Sequence, residues 1–289
     1  MYVPGDDTKK INKAVGLDVD FIALDCEDGV AINRKDDARK TIRQFLDELR
    51  PKSIKGDLGV RVNSIDTGLC GDDLTSCLSS KNIPDTILLP KVESTEELNW
   101  FADKTDSLLK NDQKINLIVY IETALAFVNL THICQHAVEL SNNKRFIAAG
   151  LVFGSDDFCA SIGASRTEDC SEVSYARQKL VLTAKAFNLQ AIDMVYIKYK
   201  DLEGLRRQCE QGKRMGFTGK QVIHPSQVPV VQEAFLPNKE QMEWAEGLLK
   251  AFEEHQKSGK GAFTYRGSMI DMPTMKQAQN VLELSKLAK

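Results

Sequence analysis

The sequence predicts an α/β protein, a (β/α)8 TIM barrel with a helical C-terminal extension, on three observations. Eight short apolar runs recur within residues 1–226. Most are unbroken rather than alternating, as strands buried on both faces of a parallel sheet should read. Stretches with helical apolar spacing lie between them. The length of 289 residues also suits one barrel of about 250 residues plus an appendage. The expected division is a catalytic barrel at 1–226 and a helical extension or lid at 227–289.

In chain order the first run is MYVPG (1–5), followed by a helix start at Asp6-Asp7-Thr8 that carries Lys9, Lys10 and Lys13. FIALDCED (21–28) precedes a helical stretch at 34–49, and LGVRVN (58–63) supplies the third strand. TILLPKVE (86–93) leads into Ser94-Thr95-Glu96-Glu97, a cap residue three positions before an acid, which starts a helix over 95–110. INLIVYIET (115–123) and FIAAGLVFGSDD (146–157) come next, then a helix at 172–187. AIDMVYI (191–197) and FTGKQVIHP (217–225) complete the eight. A doubly wound open sheet is the competing architecture. It would carry a glycine-rich dinucleotide turn after the first strand, and none is present. Beyond the eighth strand, Asn238-Lys239-Glu240-Gln241 opens an amphipathic helix over 238–256. The glycine-rich GKGAFTYRGSMIDMP (259–273) reads as a loop, and a last helix follows near 273–288.

Composition narrows the function classes. The 38 basic and 41 acidic side chains leave a net charge of −3, unlike the strongly basic surface of a nucleic-acid coat. Seven scattered cysteines without a C-x-x-C pair read as reduced thiols, neither a disulfide framework nor a zinc site. No apolar run approaches the ~18 residues that span a bilayer, so neither nucleic acid nor membrane is an expected partner. No signal or transit segment precedes the first strand, although a trimmed presequence would leave the same start.

In a barrel the C-terminal strand ends face the active site. Those ends carry Asp25, Glu27 and Asp28; Arg61 and Asn63; Lys91 and Glu93; Glu122; Asp156 and Asp157; and His224. Two cations and several carboxylates at one mouth suggest a divalent metal and an anionic substrate. Carboxylates such as Glu122 and Asp157, on adjacent strands, suit Mg²⁺; each alone would more often cap a helix. Arg61, flanked by valines, needs a partner for its charge. That partner is a substrate carboxylate or an internal pair with Asp25, Glu27 or Asp28. Lys9 and Lys13, four apart near a helix start, are candidates for phosphate binding. His224 reads equally as a ligand contact or a hydrogen-bonding histidine. Asp271 is level between helix cap and acid/base on a lid made mobile by Gly259, Gly261 and Gly267.

The strings YVPG…KK, LDCEDGV, VRVN, LLPKVE, IET, FGSDDF, AIDMVYI and KQVIHP occur in the order found in one family. The chain resembles the citrate lyase β-subunit-like proteins of the malyl-CoA and citramalyl-CoA lyase group. Its tail is similar to that of the animal mitochondrial branch. The resemblance implies a (β/α)8 barrel, usually a homotrimer, binding one Mg²⁺ and a CoA thioester in the mitochondrial matrix. It implies cleavage of (3S)-citramalyl-CoA to pyruvate and acetyl-CoA, with malate or β-methylmalate synthase and malyl-CoA thioesterase side activities. By motif, Glu122 and Asp157 would hold the metal with Asp156 beside them, and Arg61 would bind the oxo-acid end. Tyr2, Lys9, Lys13, Ile223 and His224 would contact the CoA thioester. Asp271 would be the acid/base, offered from a neighbouring subunit's tail. The alternatives are a citrate lyase β subunit working on an acyl-carrier thioester and a non-catalytic CoA-binding protein.

Overall fold

Strands rich in Ile, Leu and Val on both faces need cover on both sides, and the helices between them supply it on one. The computed structural model describes residues 1–48, 54–256 and 263–286. The chain forms two compact units, Met1–Val231 and Gln232–Lys289.

In the first unit, β1 (Tyr2–Pro4), β2 (Phe21–Asp25), β3 (Asp57–Arg61) and β4 (Thr86–Leu89) are followed by β5 (Ile115–Ile121), β6 (Phe146–Phe153), β7 (Gln190–Asp193) and β8 (Gly219–Lys220). They pair in sequence order as one eight-stranded parallel sheet. The intervening helices are α1 (Thr8–Val15), α2 (Lys35–Asp47), α3 (Cys70–Leu78), α4 (Thr95–Leu108), α5 (Ala124–Ser141), α6 (Ser155–Ile162), α7 (Ser174–Ala186) and α8 (Leu202–Met215); α9 (Val228–Phe235) follows β8.

The sheet is curled. Ala23, Leu88, Tyr120 and Val152 form one buried cluster, with Tyr2, Phe21, Ile118 and Ile192 packed on it. A flat sheet at ~4.8 Å per strand would hold β2 and β6 about 19 Å apart. Gly59 makes the inside turn possible, because a Cβ there would sit 2.3 Å from the Phe21 ring. Tyr2 N–H also donates to the Val222 carbonyl at 2.9 Å, bringing the segment after β8 to β1. The architecture is α/β and TIM-barrel-like. The capping box predicted at Ser94 is present, with Glu97 N–H on Ser94 Oγ and Glu97 Oε2 on Ser94 N–H.

Several expected boundaries move. β6 stops at Phe153 and α6 starts at Ser155, so Asp156 and Asp157 occupy a first helical turn rather than a strand end. Gly154, whose N–H donates to the Ile121 carbonyl at 3.2 Å, makes that turn. β8 is only two residues long, and His224 caps a short 3-10 turn, Pro225–Gln227, instead of ending a strand. Proline fixes that turn and has no N–H for a ladder. Asn63 and Glu93 point to structural partners: Asn63 Nδ2 donates to Asp73, and Glu93 accepts from Thr123 Oγ1 at 2.5 Å.

In the second unit, α10 (Lys239–Gln256) packs on α11 (Met272–Ser285) through Ala245, Leu248, Met275 and Ala278. The expected loop between them holds a hairpin, β9 (Phe263–Tyr265) against β10 (Ser268–Ile270). Arg266 and Gly267 take φ of 48° and 82°, the two left-handed residues that match strand twist in a two-residue hairpin turn. Gly267 is therefore a turn residue; Gly259 and Gly261 lie outside the described residues.

All seven cysteines are buried and free. Among the described residues, no helix is long and apolar enough to cross a membrane. Behind β7 and β8 lies a buried charge group. Arg177 Nε and Nη2 donate to the two Asp193 oxygens at 3.0 and 2.7 Å, and Lys220 Nζ lies 3.5 Å from Asp193 Oδ2. Gln211 accepts from Arg177, and Met194 and Gln208 accept from Lys220. One carboxylate thus holds two fully buried cations. Asp193→Asn should lower the unfolding free energy by about 3–5 kcal/mol, the cost of stranding buried charge. Urea denaturation measures it, and a loss under 1 kcal/mol would contradict this account.

Candidate active site

Asp25 ends β2 and holds the turn that follows: its Oδ1 accepts the Glu27 N–H at 2.8 Å and its Oδ2 the Gly29 N–H at 2.9 Å. A Cβ on residue 29 would come within 2.5 Å of Asp25 Oδ2, so the turn closes only on glycine. Arg61, ending β3, docks on the same carboxylate bidentately, Nε at 2.7 Å and Nη2 at 2.6 Å. Its Nη1 lies 2.7 Å from Glu27 Oε2 and 3.4 Å from Asp28 Oδ2. The Glu27 oxygen is charge-paired but off the hydrogen-bonding direction, so it has no hydrogen bond among the described residues. The rings of Tyr2 and Tyr120, whose hydroxyls bond to each other, flank the guanidinium at 5.2 and 5.7 Å. Burial alone would favour neutral arginine; Asp25 and its neighbours more than offset it and keep Arg61 charged.

Glu122 follows β5 directly and is buried. Its Oε1 accepts the Lys91 N–H at 2.8 Å. Lys91 adopts φ 54°, a left-handed conformation uncommon outside glycine. Its ammonium stands between two acids, 3.6 Å from Asp157 Oδ1 and 3.8 Å from Glu27 Oε1. Burial, then the charges of Glu27 and Asp157, push the Glu122 carboxyl up to about 8. Burial likewise raises Glu27 to about 7 against the pull of Arg61. A Cβ at Gly154 would lie 2.2 Å from Glu122 Oε2, so this carboxylate occupies space that only glycine leaves.

These groups open on a cleft of about 420 Å³, which Tyr2, Arg61, Glu122, Ser155, Asp157 and Ile223 line. Asp156 lines it too, while its Oδ1 takes a hydrogen bond from Arg166 at 3.0 Å. The remaining expected residues lie elsewhere. Lys9 borders an adjoining hollow with Lys10 and Arg34, and Lys13 is exposed in the last turn of α1. The helix start expected to take a phosphate is capped by Asp7, which accepts from Lys10 N–H at 3.0 Å. His224 is exposed; its Nδ1 accepts the Ser226 N–H at 3.2 Å, and its ring lies 4.8 Å from Tyr199. Asp271, in the second unit, caps α11, accepting from Thr274 N–H at 3.0 Å and Thr274 Oγ1 at 2.7 Å. These bonds hold its carboxyl below the usual range.

Three features of the cleft and its surround escape a reading of the sequence. Lys91 stood out as a strand-end cation but not as the backbone donor to Glu122. Tyr120 sits within an apolar run and carries no distinguishing signal. Ser155 is buried, lines the cleft, and has a hydroxyl without a hydrogen-bond partner among the described residues. No group of three or more His, Cys, Asp or Glu side chains among the described residues is arranged to hold a metal. Any cation here would rest on one or two carboxylates. The arrangement sets carboxylates and a fixed guanidinium around one cleft, and the guanidinium suits an anion.

The profile of the HpcH/HpaI aldolase/citrate lyase family matches residues 1–225. The human protein named citramalyl-CoA lyase, mitochondrial, is 50% identical over 99% of this chain and 84% of its own length. A (3S)-malyl-CoA thioesterase of Cereibacter sphaeroides is 33% identical over 94% of this chain and 88% of that protein. Among solved structures, the CitE protein of Mycobacterium tuberculosis in complex with magnesium, acetoacetate and coenzyme A superposes with a TM-score of 0.77. It is 28% identical, covering 99% of this chain and 96% of that one.

The raised acids set a pH dependence. Unfolded, Glu27 and Glu122 would lose their protons near 4.5; folded, near 7 and 8. The folded chain therefore binds more protons across this window, and its stability falls as pH rises from about 5 to 8. Melting temperatures in chelator should decline over that range. A flat profile would show that both acids are ionised throughout.

Proposed function

Because the chain belongs to the HpcH/HpaI aldolase/citrate lyase family, we propose that it is a Mg²⁺-dependent carbon–carbon lyase that cleaves (3S)-citramalyl-CoA to pyruvate and acetyl-CoA. The observation that carries this reading is the 50% identity over 99% of the chain to human citramalyl-CoA lyase. The cleft supplies the chemistry: Arg61, Glu122 and Asp157 open on one space. The same reading takes the curled sheet as a closed (β/α)8 barrel, residues 227–289 as a lid, the assembly as a homotrimer and the mitochondrial matrix as its compartment.

The residues fit Mg²⁺. This ion takes oxygen ligands, keeps several waters and needs only one or two carboxylates. Glu122 and Asp157 would hold it. Burial first, and then the charges of Glu27 and Asp157, raise Glu122 to about 8, and a bound cation would offset both. When bound, Mg²⁺ polarises an oxygen of the oxo-acid half as a Lewis acid.

The chain's own groups do the rest. Arg61, immobilised by Asp25, presents charge toward the substrate carboxylate and the oxygen that becomes the pyruvate carbonyl. Tyr2 and Ile223 contact the thioester arm, with Lys9 and Lys13 toward its phosphates. The bond between the hydroxyl-bearing carbon and the thioester methylene breaks, leaving an enolate on acetyl-CoA. Asp271 exchanges the proton. The Thr274 hydrogen bonds hold Asp271 ionised, so it takes a proton before it gives one. The hydroxyl proton that leaves and the methyl proton that is gained balance through that one group. The same parts serve condensation and thioester hydrolysis, so synthase and thioesterase side activities belong to the reading.

Cleavage assays with citramalyl-CoA, malyl-CoA and citryl-CoA, with and without Mg²⁺, test this. Citramalyl-CoA should be cleaved fastest and only with metal; cleavage of none would overturn the reading. Asp271→Asn should lower kcat by at least about 10²-fold, the reach of general acid–base catalysis, while CoA binding persists. Glu122→Gln should instead abolish Mg²⁺ binding by calorimetry. Near-normal turnover in Asp271→Asn would remove that residue from the mechanism.

A further inference from the structure

Lys91 meets the acids of the cleft through two separate groups. Its backbone N–H donates to Glu122 Oε1 at 2.8 Å and so holds that carboxylate in place. Its ammonium reaches the other acids, 3.6 Å from Asp157 Oδ1 and 3.8 Å from Glu27 Oε1. The backbone between these two groups sits at φ 54°. That conformation costs a residue with a side chain, whereas glycine adopts it freely. A lysine kept at such a position points to a task for its side chain.

The side-chain contacts are of a kind that can be given up. Both are longer than a hydrogen bond, so charge alone holds the ammonium. The side chains of Lys91 and Asp157 are 34% and 40% exposed, so water can take over from either partner. Lysine's flexible stem lets its ammonium move. Arg61 differs: Asp25 grips it through two hydrogen bonds, and it cannot exchange partners. A divalent cation on Glu122 and Asp157 would draw on the same carboxylate that the ammonium faces. Two cations at one carboxylate repel each other.

We propose that Lys91 sets the affinity of the cleft for Mg²⁺, its ammonium competing with the metal for Asp157 while its N–H keeps Glu122 aimed. The proposal rests on the reading that Glu122 and Asp157 hold Mg²⁺. The N–H favours the metal and the ammonium opposes it. Substitution separates the two, because every residue except proline keeps the N–H and only a cation keeps the competition. The sign of the effect is diagnostic. General damage to a metal site weakens binding; loss of this ammonium strengthens it.

Calorimetry with Mg²⁺ alone, no thioester present, tests the proposal. Lys91→Met keeps a long stem and the N–H but loses the charge. It should bind Mg²⁺ about fivefold more tightly than wild type, the weight of one partly exposed ion pair. Lys91→Gly, suited to the left-handed backbone, should show the same gain and replaces Lys91→Met if that variant folds poorly. Lys91→Arg keeps the charge and should stay within twofold of wild type. Affinity in the neutral variant within twofold of wild type, or weaker, would overturn the proposal and leave the metal reading standing. Lys91→Arg binding as tightly as Lys91→Met would overturn it too, since charge would then not decide. If wild type binds no Mg²⁺, binding that emerges in Lys91→Met upholds the competition. Binding in neither removes the metal reading and the proposal with it.

Discussion

The mouth of the cleft depends on one contact, the two-point attachment of Arg61 to Asp25. A guanidinium with little water around it needs a carboxylate that cannot turn away. Asp25 cannot, because two turn amides hold it from the other side. The pair ties β2 to β3, sets the turn that carries Glu27 and Asp28, and leaves Nη1 toward both acids. Two tyrosine faces complete the surround. The arginine is immobilised before any substrate arrives, so little reorganisation remains to be done when charge develops beside it.

A second constraint acts on the acidic side. Glu27, Glu122 and Asp157 converge on a region where Lys91 supplies the nearby ammonium. Backbone geometry enforces the crowding: Lys91 accepts a left-handed conformation to donate its N–H to Glu122, and Gly154 vacates the space that Glu122 fills. Both are local costs that a sequence optimised only for stability would avoid. They mark where the fold gives up stability to hold like charges together.

How much of this was legible follows from which forces are local. The eight apolar runs and the Ser94 capping box could be read because burial and capping act over a few residues. The positions of Arg61, Glu122 and Asp157 on one cleft follow from strand order, which the repeated unit supplies. The start of α6 at Ser155, the short β8 and the hairpin at Phe263–Ile270 depend on turns and packing that no period reports. His224 shows another limit: it reads equally as a ligand contact or a hydrogen-bonding histidine, and it caps a 3-10 turn through its own side chain. Arg61 resolved toward the internal pair with Asp25 while also lining the cleft, and sequence alone had posed these as alternatives. Gln227 bridges the segments after β7 and β8, accepting the Ile223 N–H and donating to the Tyr196 carbonyl 31 residues away, and it resembles any surface glutamine until the fold brings them together.

The burial of all seven thiols has its own consequence. They span positions 26 to 209, so each lies in the first unit and none beyond residue 231. Burial pushes the thiols of Cys26, Cys70, Cys77 and Cys134 up from their ordinary range, so little of the nucleophilic thiolate exists. An electrophile that alkylates them must wait for the surrounding helices to part. The cysteines therefore act as a distributed clock of local opening: their order of modification would rank the segments of the sheet-bearing unit by how often each breathes.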